Sequence, residues 1–244
     1  MSIAVLRRGS VWRRWDLHVH SPASALANEF PHSVSGSSDW EQYVAALEKL
    51  DGISAIGITD YFSVEGYREI AKFKKAGRIK NIDLILPNIE LRLNNLVYRT
   101  KDESEPPRRL NFHVIFSNEL SADEIEEHFL SQLTFNYAGI PQGTNEIWNI
   151  SRSQLENLGK KIKKEQTTFK GSAFQVGCTV VAVDINDIKH ALESRPSIFR
   201  NKYLLALAEE HLSFIRWEGQ DHQVRKVLLQ GADAIFSGNS ETKE

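Results

Sequence analysis

Short runs of β-branched and other apolar residues recur along the chain at 15–20, 53–59, 84–91, 110–116, 179–183, 212–217 and 234–236, and each reads as a strand. Between them, apolar residues at helical spacing predict helices over 39–50, 64–76, 122–133, 153–165, 186–193, 202–211 and 220–230. Ser38 with Glu41 and Ser121 with Glu124 have the spacing of capping boxes, which open the first and third of these helices. Strands alternating with amphipathic helices place the chain in the α/β class, with parallel strands joined by crossover helices. The segment 99–109, which holds Pro106 and Pro107, breaks the alternation as an exposed loop, where the 84–91 strand can turn back as a hairpin with 110–116. No internal repeat is present. One domain is expected over 1–239, with a polar tail at 240–244.

Several of these strands end on residues that carry chemistry. Side chains two apart in a strand share a face, so Asp16, His18 and His20 are expected to project together while Trp15, Leu17 and Val19 pack on the other side. Ser21-Pro22 then stops the strand, at the end where barrel enzymes place their active sites. Imidazoles at this spacing suit zinc, manganese or iron, although two histidines in a strand can also be satisfied structural residues. The apolar 53–59 strand runs into Asp60, either a site carboxylate or a helix cap. The 84–91 strand carries Glu90, which is costly to bury without a metal or a basic partner and cheap at an exposed edge. In 110–116 the alternation turns His113 away from the phenylalanines, towards a site or into a satisfied core position. Four strands in succession thus offer His18, His20, Asp60, Glu90 and His113.

The composition narrows the setting. With 244 residues, 41% of them hydrophobic, the chain can bury a sizeable core. A formal net charge of −2, from 30 basic and 32 acidic side chains, gives no global field for nucleic acid or membrane, so phosphate binding must be local. The single cysteine, Cys178, excludes an internal disulfide and sits in an apolar setting, as a core residue does. No apolar run reaches membrane-spanning length and the first fourteen residues lack a signal peptide's apolar stretch, so a soluble, cytoplasmic protein is expected.

The motifs Asp16-Leu17-His18-Val19-His20-Ser21, Ile56-Gly57-Ile58-Thr59-Asp60, Pro87-Asn88-Ile89-Glu90 and Asn111-Phe112-His113 resemble, in order and rough spacing, those of the PHP (polymerase and histidinol phosphatase) superfamily. With its flanks from Trp12 to Ser24, the first motif is similar to the PHP domain of TrlF-like proteins, which couple it to a P-loop ATPase of the AAA or SMC kind. So are Gly57-Ile58-Thr59-Asp60-Tyr61-Phe62 and Ala234-Ile235-Phe236-Ser237-Gly238-Asn239. The resemblance implies a distorted (β/α)7 barrel, one to three divalent metal ions (manganese, zinc or iron) and phosphoester hydrolysis. It implies that His18 and His20 ligate one metal, Glu90 bridges two and His113 ligates a second. Asp60 is a further candidate ligand, and Asp16 or Asp60 can orient the ligand imidazoles, which makes both candidate catalytic residues.

Two departures weaken the match. The residue after Asp60 is a metal-binding histidine in most PHP proteins and is Tyr61 here, a poor ligand for most divalent metals. No Asp-x-His pair follows on a late strand; Asp221-His222 has the wrong spacing. The barrel is therefore expected to lack its last strand or strands, leaving the site open and an edge for a partner chain or a second copy to cover. Arg14, His222 and Arg225 are candidate substrate-binding residues, with Glu218 near the same mouth. The basic clusters Arg13-Arg14, Arg108-Arg109 and 160–164 can guide a phosphodiester or serve as solvated faces. No Gly-x-x-x-x-Gly-Lys-Ser/Thr segment occurs. Two functions compete: a metal-dependent phosphoesterase, of nuclease type, working with an ATPase in DNA processing or anti-phage defence, and a weak or inactive PHP-like module that docks to such an ATPase.

Overall fold

The first two apolar runs pair side by side as parallel strands, β1 (Arg14–His20) and β2 (Ile53–Tyr61), and β3 (Leu84–Val97) continues the parallel set. The crossovers are α1 (Ser37–Glu48) and α2 (Glu65–Lys75). β4 (Arg108–Phe116) then turns back antiparallel on β3, as the hairpin expectation has it. This computed structural model describes residues 13–27, 37–98, 106–138, 145–209, 212, 215–220 and 222–236. The Ser38 side chain, most of the 99–109 loop, Ser237-Gly238-Asn239 and the tail lie outside the described residues.

After β4 come α3 (Ala122–His128), a 3-10 turn, the hairpin β5 (Thr134–Ala138) and β6 (Asn145–Asn149), and α4 (Arg152–Glu165). α5 (Ala173–Thr179), α6 (Ile185–Glu193), α7 (Pro196–Phe199), β7 (Tyr203–Ala208), α8 (Gln223–Gln230) and β8 (Ala234–Phe236) complete the order. The main sheet runs β1-β2-β3-β4-β7-β8, with β7 antiparallel to β4 and β8 parallel to β7. It curls into half a barrel: Leu17 of β1, at one edge, packs in the same small cluster as Ala234 and Phe236 of β8, at the other. That cluster, with Leu86, Ile115 and Ala206, lines the inside of the curl. Ile56, Ile58, Ile89, Phe112 and Val114 face outwards into the main core beneath the helices. The architecture is mixed α/β, with six main-sheet strands and eight α-helices among the described residues.

Three expectations fail among the described residues. The described part of 202–211 is not a helix: Tyr203–Ala208 form β7, held on both sides by β4 and β8. Residues 179–183 are not a strand, because α5 runs through to Thr179 and only Val183 bridges to Leu93. The described part of 212–217 contains no strand, and the β5–β6 hairpin appears where none was expected. The capping box of Ser121 and Glu124 is present at the start of α3. Ser38 lies inside α1 rather than ahead of it, since the helix begins at Ser37. Cys178 is buried on α5, and burial pushes its thiol up to about 12. Among the described residues no helix is long and apolar enough to cross a membrane.

Candidate metal centre

The alternation expected along β1 is broken by a bulge. Asp16 pairs with Ile56 and Val19 with Ile58, so three steps of β1 match two of β2. Leu17 and His18 both turn to the inside of the curl, while Val19 packs against the outer core. The bulge drives the Leu17 carbonyl against β2 where Gly57 stands: a Cβ there would lie 2.3 Å from that oxygen. Asp16 does not join the histidines. Its Oδ1 accepts from the His18 backbone N–H (3.3 Å), and its charge acts on Tyr43 of α1, on the outer side.

Register places the remaining groups in one row. Tyr61 of β2 lies opposite Glu90 of β3, and Glu90 opposite His113 of β4. Side chains level across neighbouring strands share a face, and these meet the β1 histidines. Glu90 Oε2 lies 3.3 Å from His18 Nε2 and 3.3 Å from His20 Nε2, and Glu90 Oε1 lies 3.9 Å from His113 Nε2. The His18 ring centroid is 5.0 Å from that of His20 and 4.6 Å from that of His113. His18, His20 and Glu90 each offer a ligand atom within 4.8 Å of the others. Around a tetrahedral ion with bonds of about 2.0–2.1 Å, ligand atoms sit ~3.3–3.4 Å apart.

The hydrogen bonds around this cluster set the tautomers of two of its histidines. Asn88 Nδ2 donates to Leu17 O (2.7 Å) and Thr59 Oγ1 (3.0 Å), which turns Asn88 Oδ1 towards His113 Nδ1 at 3.2 Å. His113 therefore carries its proton on Nδ1, and its buried Nε2 has no hydrogen-bond partner. Ser24 donates to Leu26 O (2.8 Å), so its oxygen accepts from His20 Nδ1 (3.3 Å), again leaving Nε2 bare. Both imidazoles are neutral: burial lowers the pKa of His20 and takes that of His113 to about 3. Glu90 is ionised. Burial opposes this, but the hydrogen bonds from His18 and Tyr61 outweigh it and hold the carboxyl below its usual range. Two imidazole lone pairs thus face a buried carboxylate, a repulsive arrangement that a divalent cation would reverse. The residues present fit a metal ion.

Asp60 stands with its back to this cluster. Its carboxylate accepts from Ser21 Oγ (2.6 Å) and from the Gly66 N–H in the first turn of α2 (2.6 Å), and burial pushes its pKa up to about 6 against those bonds. A Cβ on residue 66 would lie 2.1 Å from Ser21 Oγ, so only glycine admits this approach. Asp60 thereby ties the loop after His20 to α2. Tyr61, next in the strand, takes the inner position: its ring stacks on His20 (centroids 5.5 Å apart, 8° between planes), and its hydroxyl accepts from Asn111 Nδ2 (3.0 Å) and bonds Glu90.

The structure does not bring Arg14 or Arg225, two of the candidate substrate-binding residues, to the cluster. Arg14 is exposed at the opposite end of β1. Arg225 is fully buried under α8, where it clamps the Glu209 carboxylate through Nε (2.7 Å) and Nη2 and reaches Tyr98 O through Nη1 (3.3 Å). Glu209, the residue after β7, is spent on this pair. His222 stands in a left-handed conformation at the start of α8. In the 160–164 run, Lys160 pairs with Glu156, Lys161 with Glu146, and Lys163 donates to Gly171 O. Beside the cluster, the loop Pro22–Ala25 forms one wall of an open cavity of about 640 Å³ that Trp40, Arg152 and Phe174 help to line. Sequence reading passed over Asn88 and Arg92. Asn88 could have been found, since an amide in an otherwise apolar strand two residues before Glu90 needs a buried partner.

No protein-family model and no curated protein sequence matches the chain. Among solved structures it resembles a candidate metal-dependent phosphoesterase from Bifidobacterium adolescentis, with a TM-score of 0.40 and 10% identity over 91% of this chain and 76% of that one. A likeness of that strength says nothing of activity.

Proposed function

We propose that the protein is a metal-dependent phosphoesterase of the PHP type, in which His18, His20, Glu90 and His113 hold divalent manganese, zinc or iron. The observation that carries this reading is the pair of bare Nε2 atoms, on neutral His20 and His113, directed at the Glu90 carboxylate. Such a metal supplies a water of lowered pKa and an electrophile for the phosphoryl oxygens. The chain's own residues prepare the site. Asn88 and Ser24 fix the imidazole tautomers, Tyr61 packs against His20 and bonds Glu90, and the partly exposed side chains of His18 and His20 give a substrate access.

Within this reading the substrate is a phosphodiester of nucleic acid, reached through the open cavity beside His20, and the natural partner is a P-loop ATPase of the AAA or SMC kind. Both rest on the motif resemblance. The second reading, a PHP-like module with little or no turnover, is favoured by one feature: Tyr61 fills the inner position on β2 while Asp60 turns away, so one metal position lacks a ligand there.

Metal analysis paired with turnover separates the two. The phosphoesterase reading expects bound metal and hydrolysis of bis(p-nitrophenyl) phosphate in the presence of manganese or zinc, abolished by chelation and by His20→Ala with Glu90→Ala in a folded chain. Metal binding without hydrolysis of mono- or diesters supports the module. Activity that survives both the double variant and a chelator removes metal catalysis.

A further inference from the structure

Among the described residues half-buried Arg195 bonds the neutral oxygens of Ser194 and Gln132, whereas other arginines of similar or deeper burial hold carboxylates: Arg68 holds Glu65 and Glu126, Arg78 holds Glu48, and Arg225 holds Glu209. Arg92 does not. It stands on β3, half-buried, with one donor on a backbone carbonyl (Nη1 to Thr179 O, 3.2 Å) and its guanidinium carbon 6.0 Å from the Tyr61 ring centroid. Among the described residues no carboxylate lies within ion-pair distance of it. A partly desolvated guanidinium with most of its five donors unused is a site prepared for an anion.

Its position says which anion. Arg92 is two residues beyond Glu90, so it shares the inner face and lies about 6–7 Å further towards the mouth. Its partner across the ladder is Asn111, whose amide donates to the Tyr61 hydroxyl. A phosphoryl group with one oxygen at the His18/His20/Glu90 cluster would present its others towards Arg92, whose planar fork suits two oxygens at once.

We propose that Arg92 is the phosphoryl-binding residue of the metal centre, a role that neither Arg14 nor Arg225 is placed to take. The inference rests on the phosphoesterase reading for its biological sense, but anion binding can be measured without turnover. The experiment titrates inorganic phosphate by calorimetry into manganese-loaded wild type, Arg92→Gln and Arg92→Lys, with metal content determined on each sample and KM and kcat measured for bis(p-nitrophenyl) phosphate. Arg92→Gln should weaken phosphate binding about 10- to 100-fold, the scale of a charge-assisted pair, and raise KM, with metal content unchanged. Arg92→Lys keeps the charge and a donor for Thr179 O but loses the fork, so it should fall between the two, and it serves alone if the glutamine variant does not fold. Phosphate affinity equal to wild type in the variants, phosphate loss that only follows metal loss, or no phosphate binding by wild type overturns the proposal. Phosphate binding that depends on Arg92 in a protein that hydrolyses nothing sustains it and counts against the phosphoesterase reading alone.

Discussion

Asn88 reaches three partners with one amide, and the metal centre depends on the third. Because Nδ2 is committed to Leu17 O and Thr59 Oγ1, only Oδ1 can meet His113, and that contact keeps the proton off Nε2. Asn88→Ala should therefore lower zinc or manganese affinity about 10- to 100-fold, the usual cost of losing a partner that orients a ligand; calorimetric titration of metal into both proteins checks it. Asp60 supports a prediction of the opposite kind, on stability rather than binding. Its folded pKa is about 6 against an ordinary 3.8, so between those values the folded state binds more protons than the unfolded one. Stability from this group is full below about pH 4 and is lost as pH rises through 6. From pH 4 to pH 7 the wild type should lose roughly 2–3 kcal/mol relative to Asp60→Asn, measured as the change in their stability difference in urea, which cancels the other titrating groups. Of these residues, His18, His20, Glu90 and His113 were legible because charge and imidazole stand out in apolar strands. The roles of Asn88, Tyr61 and Arg92 were not, since each depends on which strand lies alongside.

Elements were legible where their chemistry was local and illegible where neighbours decided. β2 announces itself by an unbroken apolar run, and α3 by its capping box. β7 misleads, because Leu204-Leu205-Ala206-Leu207-Ala208 is made of good helix formers and becomes a strand through its two ladders. The bulge in β1 was invisible for the same reason, although it moves Leu17 to the inside and separates Asp16 from the histidines it was expected to orient. The Arg225–Glu209 pair pins α8 to the end of β7, and it was mistaken for site chemistry because a sequence does not distinguish a buried arginine from an exposed one. Arg225→Met should destabilise the protein by about 3–5 kcal/mol, since it strands a buried carboxylate, whereas Arg225→Met with Glu209→Leu should recover most of the loss. Urea midpoints of the two variants decide this; a double variant no more stable than the single one would mean that the helix is held by something else.

At the scale of the molecule, the half-barrel and the metal centre depend on each other. β1 and β8 are the two edges of the sheet, and what connects them across the curl is side-chain packing: Leu17 with Ala234 and Phe236, and the Phe236 ring 5.6 Å from that of His18 and 5.0 Å from that of His113. The candidate ligands come from β1, β3 and β4, so one ion would join strands that are not all neighbours, and it would replace the repulsion between bare imidazole nitrogens and Glu90 by bonds. A ligand that binds only the folded state adds RT ln(1 + [L]/Kd), about 2.7 kcal/mol at a hundred times Kd. For a domain of this size each kcal/mol is worth about 2–4 °C, so zinc or manganese should raise Tm by about 5–10 °C and a chelator should reverse it. The same metal should leave the Tm of His113→Ala with Glu90→Ala nearly unchanged, because the set of ligands is broken on two strands at once. That variant also relieves the unpaired Nε2 and the buried carboxylate, and its metal-free form should melt no lower than the metal-free wild type by more than the two cavities explain. A scanning calorimetry series with and without metal tests both halves, and an equal metal-induced rise in wild type and variant would place the ion elsewhere on the chain.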